Sequence, residues 1–110
     1  MREAEALKAV MVHASKRGMR LFRNQVGQYH LADGRWISSG LCVGSSDLIG
    51  WTVIDGRAVF TAIEVKGPRG KLRSSQAAFI QAVRNCGGIA GLVRSEEDLD
   101  RIIDRYKKDR

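Results

Sequence analysis

The run Asp47-Leu48-Ile49-Gly50-Trp51-Thr52-Val53-Ile54-Asp55-Gly56-Arg57-Ala58-Val59-Phe60-Thr61-Ala62-Ile63-Glu64-Val65-Lys66 holds two strand-like segments joined by one Asp-Gly pair. Asp-Gly between alternating apolar residues predicts a two-residue type I′ hairpin turn, because both turn positions need φ > 0. With that turn Ile54 pairs with Arg57, Trp51 faces Phe60, Ile49 faces Ala62, and Asp47 lies opposite Glu64. Side chains paired in this way have Cβ atoms about 4.5–5.5 Å apart, and like charges there destabilise the sheet. A divalent cation between the carboxylates turns that repulsion into a binding site. Lys66 points to the same face as Glu64, because strand side chains alternate with a period of two. Two carboxylates and an ammonium converging at one end of a hairpin suggest a metal-dependent hydrolase. A three-residue loop with a bulge would shift the pairing by one and set Asp47 beside Ile63 instead.

On either side of the hairpin the chain alternates between helix and strand signals. Residues 3–16 predict a helix with Leu7, Val10, Met11 and Ala14 on one stripe, stopped at Gly18. Residues 20–31 read as a strand bent at Gly27, and residues 32–46 as loop with a short strand near Trp36-Ile37. Gly67-Pro68-Arg69-Gly70-Lys71 ends the second hairpin strand. Ser74 can cap a helix running to about Asn85, closed by Gly87-Gly88. Ile89 to Val93 is a short apolar strand. Ser95-Glu96-Glu97-Asp98 resembles a capping box and starts a last helix to about Lys107, with Leu99, Ile102, Ile103 and Tyr106 on its buried stripe. The order α-β-β-β-α-β-α predicts an α/β fold, a mixed sheet flanked by helices in one domain over residues 1–110. The helix at 75–85 suits a crossover between parallel neighbours.

Composition narrows the partner. The chain has 110 residues and a net charge of +7, with a pI near 10.0, which fits an anionic partner such as nucleic acid. Cys42 and Cys86 lack metal-ligand spacing and read as buried or half-buried free thiols of a reducing compartment. A charged N-terminus and the lack of a long apolar run predict a soluble, intracellular protein with no membrane association. Most of the seven aromatics fall on core-like stripes, which argues against a base-stacking reader of single strands. His13 and His30 have no ligand or triad spacing, and no phosphate-cradling loop or nucleophile elbow occurs.

Each candidate residue has a plain alternative. Asp47 could be a turn aspartate, and Glu64 with Lys66 could be charges on a solvated edge. Phe60 and Ala62 share their face, however, and imply that it is covered; a covered carboxylate needs a partner. Lys66 can orient or deprotonate an attacking water, stabilise charge developing on a phosphate, or simply pair with Glu64. Gln76, on the face of Phe79, Ile80 and Val83, can reach the same place or only satisfy the helix start. Glu3 continues the inward stripe of the first helix, whereas Glu5 points elsewhere; a terminal glutamate can equally be solvated. Arg69, Lys71 and Arg73 follow Lys66, and Lys16, Arg17, Arg20 and Arg23 flank the end of the first helix; each can neutralise a backbone phosphate. Arg101, Arg105, Lys107, Lys108 and Arg110 read as a solvated or disordered terminal group.

Taken together, Leu21-Phe22-Arg23-Asn24-Gln25-Val26-Gly27, Gly44-Ser45-Ser46-Asp47-Leu48-Ile49-Gly50, Ala62-Ile63-Glu64-Val65-Lys66 and Gln76 with Phe79 resemble the PD-(D/E)xK nucleases, specifically the virus-type replication-repair nuclease (VRR-NUC) domain. Ser46 stands where the superfamily name has proline. The resemblance implies a restriction-endonuclease-like sheet. It implies that Asp47, Glu64 and the Val65 carbonyl bind Mg²⁺ or Mn²⁺, with Lys66 assisting the attacking water and no organic cofactor. Gln76 matches the helix glutamine of the family, and Glu3, or Glu5 if the helix slips, its first-helix glutamate. Standalone members resemble Holliday-junction resolvases, so a homodimer nicking branched DNA is expected, with viral or prophage origin typical. The alternatives are a noncatalytic DNA-binding or recruitment module, and a nuclease acting on ordinary duplex or RNA.

Overall fold

The computed structural model describes residues 2–109. Its elements are α1 (Glu3–Lys16), β1 (Met19–Arg23), β2 (Gly27–His30), β3 (Trp36–Ser39), β4 (Leu48–Ile54), β5 (Arg57–Val65), α2 (Ser74–Asn85), β6 (Ile89–Val93) and α3 (Glu96–Lys108). A four-stranded mixed sheet in the order β1-β4-β5-β6 is antiparallel except for the parallel β5–β6 pair, with α2 as the crossover. This is the α/β architecture expected from the hairpin and crossover signals, consistent with a restriction-endonuclease-like fold.

The β4–β5 hairpin has the two-residue turn. Asp55 and Gly56 both have positive φ, 51° and 77°, and Trp51 pairs with Phe60, Ile49 with Ala62 and Leu48 with Ile63. Every side chain of the hairpin therefore lies on the face read from alternation, since a slip of one residue would exchange the faces.

Two apolar clusters sit on opposite faces of the sheet. Ala6, Val10 and Ala14 of α1 and Leu99 and Ile103 of α3 pack on Leu21, Leu48, Ile63, Val65 and Val93. Across the sheet, Ile80 and Val83 of α2 pack on Ala62 and Ala90. α2 spans only part of its face: Ala62 and Glu64 lie beneath it, whereas Phe60 remains 44 % exposed. The expectation that most aromatics fall on core-like stripes is corrected: Phe22, Trp51 and Phe60 on the main sheet and Tyr29 and Trp36 on β2 and β3 are all exposed.

The segment read as one bent strand is two strands in two sheets. β1 leaves the main sheet at Asn24, whose N–H donates to the Asp47 carbonyl at 2.7 Å, and β2 then pairs with β3 in a second sheet. The Asn24 side chain grips the loop before Asp47, so the chain turns away where loop atoms replace a ladder partner. Residue 73, not Ser74, occupies the cap position of α2, because the Gln76 side chain accepts the Arg73 N–H. At α3, Ser95 Oγ accepts the Asp98 N–H, and the Asp98 carboxylate reaches back to the Arg94 N–H. Both cysteines are exposed rather than buried. The basic C-terminal group is helical to Lys108, with Arg101 held by Asp98; Arg110 lies outside the described residues.

Candidate active site

Glu64 is the next-to-last residue of β5 and faces α2, where it is 1 % exposed. Asp47 immediately precedes β4, so the hairpin register sets it across from Glu64. One Asp47 carboxylate oxygen accepts the Val65 N–H at 2.8 Å. The next N–H, that of Lys66, points the opposite way to Val93 O. An extended residue directs its N–H and C=O to the same edge, so the Val65 carbonyl also faces the Asp47 side.

The loop carrying Asp47 is fastened by Asn24. Its Nδ2 donates to Ser45 Oγ at 2.7 Å and to the Ser46 carbonyl at 2.8 Å, while its Oδ1 accepts the Leu41 N–H at 3.0 Å. Gly44 is required here: it has φ +90°, and a Cβ on it would lie 2.7 Å from the Ser75 carbonyl at the start of α2. The loop is thus clamped between β1 and α2, which holds Asp47 against β5. Asn24 belongs to a quoted motif, but its clamping role was not legible; an asparagine next to a strand end looks like a simple strand stop.

A cleft of about 650 Å³ opens over these groups, lined by Asp47, Glu64, Gln76, Glu3, Arg23 and Arg73 among others. Gln76 fulfils both readings offered for it, since it caps α2 through Oε1 and lines the cleft. Glu3 opens α1, is exposed, and lines the cleft, whereas Glu5 pairs with Arg2 at 3.5 Å. Lys8, one turn beyond Ala4 on the Ala4-Leu7-Met11 side of α1, also lines it and was missed; helical spacing from Ala4, not from Glu3, leads to it. Lys66 is half-buried beside Gly70 and does not line the cleft, yet its charge favours ionisation of Glu64. Arg69 borders a shallow depression that shares Glu3 with the cleft. Lys71 and Arg20 are exposed beyond its lining. Arg17 is committed elsewhere, to Asp100 and Asp104, and is not a free phosphate ligand.

Burial, then a shared-proton contact with Asp47 and the negative charge of Asp47, push the Glu64 carboxyl up to about 8 from 4.5, opposed by Lys66. Among the described residues Glu64 Oε2 is buried without a hydrogen-bond partner. A buried orphan carboxylate oxygen beside a second carboxylate is costly by itself and is the arrangement a cation relieves. Among the described residues no three acidic, histidine or cysteine side chains converge. Any cation here would rely on two carboxylates, a backbone carbonyl and water. Such hard oxygen donors suit Mg²⁺ or Mn²⁺, which keep several waters. The residues present fit that group.

The family model of the VRR-NUC domain matches residues 1–97, nearly the whole chain. The chain belongs to the VRR-NUC family. It is thereby a nuclease domain of the PD-(D/E)xK type, for which DNA is the implied substrate. The VRR-NUC match spans α1 through the start of α3, and so includes Glu3, Asn24, Asp47, Glu64, Lys66 and Gln76. No curated protein matches the chain significantly.

Proposed function

We propose that this VRR-NUC domain is a divalent-metal-dependent endonuclease that hydrolyses phosphodiesters of branched DNA, working inside the cell as a homodimer. The observation that carries the reading is the Asp47–Glu64 pair, whose buried Glu64 Oε2 has no hydrogen-bond partner among the described residues. Asp47, Glu64 and the Val65 carbonyl would hold Mg²⁺ or Mn²⁺. When bound, the cation supplies positive charge against the scissile phosphate and makes water more acidic.

The chain's own groups do the rest. Arg23 and Arg73 at the cleft wall neutralise phosphates flanking the scissile one and draw the strand in. Lys66, at the cleft's edge, orients the attacking water as an ammonium or, as the neutral amine, accepts its proton. Gln76, fixed by its bond to the Arg73 N–H, offers its amide to the water or the phosphate from a set position. Water oxygen bonds to phosphorus as its proton passes to Lys66 or solvent, the P–O3′ bond breaks, the leaving 3′-oxygen takes a proton from solvent water, and the products carry a 5′-phosphate and a 3′-hydroxyl. The homodimer is supported by the exposed apolar face around Trp51 and Phe60, which one copy leaves in water.

The test is a cleavage panel of four-way junction, flap, plain duplex and RNA, with Mg²⁺ and with EDTA. Nicking of branched DNA in Mg²⁺ alone is expected, abolished in Asp47→Ala and Glu64→Ala while binding largely survives. Cutting by either purified variant overturns the assignment. Binding without cutting by wild type favours the recruitment module, and equal cutting of duplex or RNA removes the branch preference.

A further inference from the structure

The β2–β3 hairpin is not used by the chemistry above. It forms a two-stranded sheet of its own, apart from the main sheet. Such an isolated hairpin is marginal in water unless something packs on it. This one is nevertheless rich in exposed rings. Trp36 is 65 % exposed and Tyr29 51 %. The register pairs Tyr29 with Ile37 and His30 with Trp36, so these pairs occupy opposite faces of the ribbon. On one face the His30 and Trp36 rings stack, with centroids 4.7 Å apart and planes inclined by 25°.

That stack leaves the far side of the indole open and already oriented. A base placed there stacks without first immobilising the side chain, which lowers the cost of binding. The charge pattern also points to nucleic acid. Residues 27–39 carry one acid and one base, Asp33 and Arg35, and these pair with each other at 2.7 Å. The hairpin therefore offers no net charge to phosphates, only rings. At its root the pattern reverses: Arg23 and Arg73 line the cleft together with Gln25 and Val26, which lead directly into β2. A strand held by the arginines at the root runs on to the rings. Strands of four residues reach about 13 Å, comparable to the width of a DNA groove.

We propose that the β2–β3 hairpin is a stacking wedge: Trp36, braced by His30, takes an unpaired base at a branch point while the adjoining strand enters the Asp47–Glu64 cleft. This rests on the nuclease reading and adds to it the feature that recognises the branch, namely an exposed base face rather than a phosphate pattern. Fully paired duplex hides its base faces and gains nothing from Trp36.

The experiment measures affinity for a fork carrying 2-aminopurine at the branch and for a paired duplex of equal length, in EDTA so that nothing is cut. Wild type should bind the fork more tightly and quench the 2-aminopurine by stacking. Trp36→Ala should lower the fork-to-duplex ratio by roughly tenfold or more and lose the quenching, since removing one stacking partner typically has that effect. Trp36→Phe should restore most of both. An unchanged ratio in Trp36→Ala, or a wild type without discrimination, overturns the wedge. So does a change of oligomeric mass in Trp36→Ala with the ratio intact, which would assign the rings to a second copy of the chain. Cleavage in Mg²⁺ is scored separately. A chain that binds forks through Trp36 but cuts no DNA overturns the nuclease reading and upholds the wedge.

Discussion

Glu64 shows how one residue couples folding to chemistry. Burial and Asp47 raise its carboxyl to about 8, above the ordinary 4.5, so the fold favours the protonated form. That contribution is fully present below the ordinary value and is lost as pH rises through about 8. The metal-free protein should therefore lose thermal stability between pH 5 and pH 9 on this account. Glu64→Gln should flatten that loss, leaving the variant more stable than wild type at pH 9, because a neutral amide needs no countercharge. Mg²⁺ should raise the melting temperature of wild type at high pH and leave Glu64→Gln unmoved. Thermal melts over the pH series check all three, and a wild-type midpoint independent of pH would contradict the account. The identity of Asp47 and Glu64 as a pair was legible from Asp55-Gly56 and alternation. The burial of Glu64 was only hinted at by Ala62, because the covering helix comes from ten residues further along the chain.

Among the elements, the α1–α3 contact carries a charge cluster that stripe analysis did not reveal. His13 Nε2 lies 2.8 Å from Asp100 Oδ1, Arg17 bonds Asp100 and Asp104, and Glu96 lies 3.7 Å from His13 Nδ1. The His13 hydrogen bond, with the charges of His13 and Arg17, holds the Asp100 carboxyl below its usual 3.8. A depressed carboxyl stabilises above its unfolded value and loses that contribution as pH falls through the folded one. Docking of α3 should thus hold down to about pH 4 and weaken only below it. The Asp100 side chain is about a third exposed, so solvent screens the pair. Asp100→Asn should cost about 1 kcal/mol or less at pH 7 in denaturant unfolding, and less still at pH 2. A larger loss at pH 2 than at pH 7 would refute this. Helices α1, α2 and α3 were readable because their apolar spacing repeats within a dozen residues. The strands of the β2–β3 hairpin were signalled too, as the far end of a bent strand and a short strand near Trp36-Ile37, but their pairing into a separate sheet was not, because they lie on no buried stripe.

At the scale of the molecule, the uncovered end of the sheet is the dominant unexplained surface. Trp51 is 41 % exposed, Phe22 packs its ring 5.8 Å from it, and Phe60 stands across the hairpin. A stable dimer buries about 1,200–2,000 Å² in total, with aromatic anchors at its centre. Light scattering should give twice the 12.2 kDa chain mass for wild type and the single mass for Trp51→Glu, with the far-UV circular dichroism unchanged because the residue is half exposed within one copy. A monomeric wild type at working concentration would refute the paired arrangement.

The hairpin register, the helix order and the acid pair could be read from neighbours along the chain, because turn chemistry and strand alternation act over a few residues. Which glutamate of α1 meets the cleft, how Asn24 clamps the loop of Asp47, why Lys66 stops at the cleft's edge, and which rings stay in water depended on segments far apart in the chain packing against one another. Burial and solvent access arise from that packing and leave no mark in local spacing.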